Sequence, residues 1–203
     1  MKKKRVVIFA FIVIMVVSAV SIVLNIRNIS EQGRIRRNMI NQAYGELRNI
    51  SLNLDGLIYN IENEVTGYEI NQQSLTMLSH NFVRLDTILK RYVHYFPSER
   101  LYYGDVFDFD FVSYTLTAGT GTANGMAYSG ITGDNVISEN EVRYLTILRD
   151  DIDLIVDAMI STEDPPQENQ NLTISQISAI LDTFFSKWSF HNENSPYFLL
   201  RAE

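Results

Sequence analysis

The chain has 203 residues, 46% of them hydrophobic, with 17 basic and 24 acidic side chains and a formal net charge of −7. It has no cysteine, which excludes disulfides, zinc–thiolate centres and thiol nucleophiles. Beyond Arg48, eight basic residues stand against 22 acidic ones, a net charge of −14, so nucleic acid is not an expected partner, because phosphate contacts need Lys and Arg.

Lys2, Lys3, Lys4 and Arg5 form a basic tail, residues 1–5. An apolar run of 19 residues follows, Val6 to Leu24, in which Ser18 and Ser21 are the only polar side chains. At ~1.5 Å per residue, a helix of this length just spans a hydrocarbon core of roughly 30 Å. Residues 6–24 therefore read as a transmembrane anchor. A cleaved secretory signal is the rival reading, with Val17-Ser18-Ala19 as its processing site, but the run continues through Val20, Ile22, Val23 and Leu24. Both readings export the rest of the chain. The early basic cluster places the N-terminus in the cytoplasm and residues 25–203 outside. Arg27, Arg34, Arg36 and Arg37 after the anchor lie either on anionic headgroups or on a solvated helix face. An exported domain without cysteine points to a bacterial cell envelope.

From Ile40 the apolar residues recur at Ala43, Leu47, Ile50, Leu54, Leu57, Ile61 and Val65. These alternating steps of three and four predict one helix reaching from the membrane to Thr66, with Gly67 as its stop. A second stripe, Leu75, Leu78, Phe82, Leu85, Leu89, Tyr92 and Phe96, predicts a helix capped by Asn71 or Ser74 and ended by Pro97. The third stripe is Val142, Leu145, Leu148, Ile152, Ile155 and Met159, behind a capping box at Ser138 and Glu141. The fourth is Ile174, Ile177, Leu181, Phe184 and Trp188, behind the same box at Thr173 and Gln176.

Residues 97–137 differ, holding six of the ten glycines. Val106-Phe-Asp-Phe-Asp-Phe111 alternates apolar and acidic residues, the period of a half-buried strand, and Val112 to Thr117 continues in strand-favouring residues. Met126 to Ile131 suits a return strand. The expected fold is mainly α: a transmembrane helix, then an antiparallel four-helix-bundle-like extracytoplasmic domain carrying a small β-hairpin or loop insertion at 97–137. In outline this is similar to the membrane-tethered four-helix sensor domains of bacterial receptors. The second span and cytoplasmic output of those receptors are not found in this sequence, so signal relay by this chain alone is not expected.

No catalytic pattern emerges. His80, His94 and His191 are far apart, with neither metal nor triad spacing. Gly119-Thr-Gly-Thr and Gly130-Ile-Thr-Gly-Asp lack the lysine of a phosphate loop. The one chemical lead is acidic: Asp105, Asp108, Asp110 and Asp134, with Glu141. The stretch ending at Glu141 resembles the second half of an EF-hand loop, although Gly130 and Asn135 occupy positions where that loop has Asp and Gly. Glu62, Glu64, Asp150, Asp151 and Asp153 read as the solvated faces of helices. Eight aromatics fall between Tyr92 and Phe111. Of these, Tyr102, Tyr103, Phe107, Phe109 and Phe111 are candidates for a recognition patch or for core that seals the insertion. The leading expectation is a non-enzymatic envelope protein, without cofactor, that binds the lipid bilayer through its anchor and another envelope protein through its helical domain. The alternatives are a ligand- or calcium-binding sensor module and a cell-wall hydrolase.

Overall fold

The computed structural model describes residues 2–65, 67–96, 109–117, 120–123, 126–131, 136–161, 169, 172–189 and 192–200. The protein is mainly helical. Its elements are α1 (Lys2–Glu62), α2 (Tyr68–Tyr95), α3 (Phe109–Thr117), β1 (Thr120–Ala123), β2 (Met126–Ser129), α4 (Glu139–Met159), α5 (Ile174–Lys187) and a terminal 3-10 helix, Pro196–Leu200. The chain divides into two units, Met1–Asn38 and Met39–Glu203.

The first unit is helical from Lys2 onward. From Val13 through Leu24 every side chain is exposed. An 18-residue window here has a mean hydropathy of 1.8 and is not buried by any other part of the protein. Aliphatic side chains on all faces of one helix, left unburied by the rest of the described protein, give a segment whose length and composition suit a membrane span. Among the described residues, α1 is the one helix long and apolar enough to cross a membrane.

The second unit is built on the four apolar stripes. Leu47, Leu85, Ile155 and Leu181, one from each of α1, α2, α4 and α5, line the same small apolar void. Every member of the α2 stripe from Leu75 to Phe96 is buried. Contacts between α1 and α4 run in opposite senses: Ser51 Oγ donates to Asp153 Oδ1 at 2.6 Å, and Arg149 reaches Asp55 at 3.6 Å. The same holds for α4 and α5, where Asp151 meets Lys187 while Met159 lies with Ile177.

Both capping boxes are present. The Ser138 hydroxyl accepts from the Glu141 N–H, and the Thr173 hydroxyl accepts from the Gln176 N–H. The end of α1 differs from the expected stop at Gly67. The helix closes at Glu62, and Glu64 takes a left-handed conformation with φ 51°. The Glu64 N–H reaches the Ile61 carbonyl and the Val65 N–H reaches the Asn60 carbonyl, which is a Schellman closure. Val65 is exposed as a result. Gly67 instead stands before α2 as its N-cap, so α2 starts earlier than Asn71 or Ser74. Ser74 lies inside the helix, its hydroxyl bonded to the Ile70 carbonyl.

The segment expected to be a strand, Val106 to Thr117, is helical where described, as α3. Helical pitch places Phe109, Val112 and Leu116 on one buried face, a stripe that outweighs a three-fold apolar–acidic alternation. Phe109 and Phe111 consequently part. Phe109 is fully buried, with ring centroids 5.9, 5.2 and 5.1 Å from Phe82, Phe184 and Phe185. The half-buried Phe111 packs on Tyr128 and Tyr197. Hydrogen bonds of 2.7 Å join α3 to α2 (Ser79–Ser113) and to α4 (Thr115–Tyr144). The two-stranded sheet is antiparallel, pairing Thr120 with Ser129 and Ala123 with Met126, so β2 falls within the expected return strand.

Candidate functional site

Two stripes with helical spacing face each other across the α4–α5 seam. Asp151, Leu154, Ile155 and Ala158 come from α4; Ile180, Thr183, Phe184 and Lys187 come from α5. They enclose an open groove of about 420 Å³. Leu154 stands on its wall at 66% exposure, next to Ile155, which is buried. An exposed leucine beside a concave apolar surface is the local departure from a closed core.

One end of the groove is polar and internally satisfied. Asp151 is 7% exposed and accepts from Lys187 Nζ at 2.7 Å through Oδ1 and from Trp188 Nε1 at 2.8 Å through Oδ2. Trp188 is held by stacking on Phe184, with centroids 5.4 Å apart and planes 12° apart. The Thr183 hydroxyl donates to the Ala179 carbonyl. On the solvent side of α4, Asp150 and Asp157 lie four residues before and three after Leu154, its neighbours on the helix surface. Arg149 bonds Asp150 at 2.6 Å, and this bond, partly opposed by burial, raises the guanidinium pKa. The groove therefore offers apolar contact, an ion pair already closed on itself and a rim carrying the Arg149–Asp150 pair and the exposed Asp157.

The sequence-predicted candidates are dispersed. Asp105, Asp108, Asp134, Tyr102, Tyr103 and Phe107 lie outside the described residues, as does His191. Asp110 is exposed in the first turn of α3. Glu141 is buried, and its Oε2 accepts the Ser138 N–H at 2.6 Å, so this carboxylate serves the helix cap. Among the described residues, no three His, Cys, Asp or Glu side chains gather in a way that would hold a metal. His80 and His94 are exposed on α2.

Sequence reasoning missed Asp151, which it placed on a solvated face. The signal was present: Asp151 lies three residues after Leu148 and four before Ile155, on the apolar stripe itself. An antiparallel α5 brings the only tryptophan and a lysine opposite it.

Compared with known proteins, the chain matches no protein family, no curated protein and no solved structure.

Proposed function

We propose that this chain is a single-pass membrane-anchored protein of the cell envelope, with residues 1–5 in the cytoplasm, 6–24 in the bilayer and the rest outside. In this reading α1 beyond the membrane, α2, α4 and α5 form an antiparallel four-helix bundle sealed by α3 and the small sheet. The domain acts by binding another envelope protein, and the α4–α5 groove is where it binds. The observation that carries this reading is the groove itself: a concave apolar surface of about 420 Å³ beside an exposed Leu154. Among the described residues its one buried carboxylate, Asp151, has both oxygens engaged, which favours binding over acid–base chemistry.

Three measurements test the proposal. The protein should remain in the membrane fraction after an alkaline wash, whereas release with a new N-terminus near Val20 would establish a cleaved signal. Protease added to intact cells should digest the chain beyond Arg27; protection reverses the topology. Affinity purification of the membrane-extracted full chain should recover an envelope protein, and Leu154→Glu should lose it while keeping the helical content. Equal recovery by the variant removes the groove from the interaction.

A further inference from the structure

The groove's chemistry also specifies what kind of partner fits it, on the reading that this is an interaction domain. We propose that it receives a short amphipathic helix whose apolar stripe is flanked by lysine or arginine. A small polar ligand is poorly served here, because ligand pockets orient their guests with convergent polar groups. Here Asp151 is saturated by Lys187 and Trp188, and the Thr183 hydroxyl is turned to the Ala179 carbonyl. What remains open along about two helical turns of each wall is aliphatic, the exposed Leu154 and Ala158 and the half-buried Ile180, over a floor of the buried Ile155 and Phe184. This suits apolar side chains projecting at three- and four-residue spacing from a partner helix.

Charge selects among such helices. The exposed flank of Leu154 carries Asp150 and Asp157, whereas Ala179, Thr183 and Ser186 on the outward side of α5 are uncharged. Lys187, the one cation lining the groove among the described residues, is closed on Asp151 at 2.7 Å. Asp150 is closed on Arg149 at 2.6 Å, so the rim carboxylate that a partner meets is the exposed Asp157, in a domain whose sequence beyond Arg48 is strongly acidic. Cationic flanks on the partner complement this rim, and acidic flanks meet like charge.

The test places a benzophenone photo-crosslinking amino acid at Leu154 of the full chain in intact cells and maps the crosslinked peptide by mass spectrometry. The expected adduct is a segment with a helical apolar stripe and basic flanks, and its yield should fall roughly tenfold with the additional change Asp157→Lys. Asp157 is exposed, and unchanged circular dichroism of that variant shows that the fold is kept. A protein adduct on an acidic or non-amphipathic segment, or one insensitive to Asp157→Lys, overturns the partner chemistry while leaving the interaction reading in place. Lipid adducts alone, or no adduct above that of a probe at the exposed Ile70, overturn both.

Discussion

The indole N–H of Trp188 donates to Asp151 Oδ2 at 2.8 Å across the α4–α5 seam, while Lys187 takes the other oxygen at 2.7 Å. A carboxylate this buried is costly unless each oxygen has a donor, and consecutive residues at the end of α5 supply both. The arrangement fixes the register of the two helices and so fixes the groove that their outer faces enclose. Trp188 also joins this node to the core, because its ring packs on Tyr144 and Tyr197 with centroids 5.3 and 5.2 Å away.

Removing the two sides of this node should have unequal effects. Asp151→Ala strands a buried indole N–H and is expected to cost about 1–3 kcal/mol. Lys187 approaches Asp151 Oδ1 from a half-exposed position, where water takes the place of the departed ammonium, so Lys187→Met should cost less, about 1 kcal/mol. Urea unfolding of the detergent-solubilised full chain, followed by the fluorescence of its single tryptophan, measures both. Equal losses would show that the ion pair rather than the indole bond holds the seam.

Leu85→Ala and Leu181→Ala should each destabilise the domain by about 2–5 kcal/mol, since both side chains are 2% exposed or less and line the void shared by four helices. Leu154→Ala should stay within about 0.5 kcal/mol, the range of surface sites. The contrast is informative because Leu154 and Ile155 are adjacent in sequence. A large loss at Leu154 would mean that the groove is closed in solution.

The helical stripes were legible because a 3.6-residue period repeated over about four turns or more leaves few alternatives. Leu75 to Phe96 is buried at each expected position. Both capping boxes were legible for the same reason, as each needs only two residues at a fixed spacing. Residues 109–117 were misread as strand because three alternating Phe and Asp residues are too short a sample to separate a period of two from one of 3.6. There the tertiary contacts of Phe109 with Phe82, Phe184 and Phe185 decided the outcome. The groove was not legible: it depends on which helix lies beside α4, and Asp151 is distinguishable from its neighbours Asp150 and Asp153 only once Lys187 and Trp188 stand opposite.

The turn between α1 and α2 yields a stabilising substitution. Glu64 occupies a left-handed conformation that costs a residue bearing a Cβ roughly 1–2 kcal/mol. Glycine is the usual occupant of this position in a Schellman closure. Glu64→Gly should therefore raise stability by up to about 1 kcal/mol, after the larger chain entropy of glycine is subtracted. Thermal unfolding of the two chains side by side tests this, and a lower midpoint for the variant would show that the Glu64 side chain itself contributes to the turn.

Alkaline pH should loosen the domain through two tyrosines before it affects the helices directly. The Tyr128 phenol is pushed up to about 12, first by burial and then by Tyr114 beside it. Tyr144 is raised as well by burial, which its hydrogen bond to Thr115 partly offsets. In both cases the folded protein holds its proton more tightly than the unfolded chain, whose tyrosines ionise near pH 10. The resulting stability is complete below pH 10 and is lost as pH rises through the folded-state values. Unfolding free energy measured from pH 8 to pH 12 should be level to about pH 10 and then decline. The variant Tyr144→Phe should decline less steeply over the same interval, because it removes one of the two protons whose retention distinguishes the folded chain. A profile that is flat through pH 12 would show that both phenols ionise as freely in the folded protein as in the unfolded one.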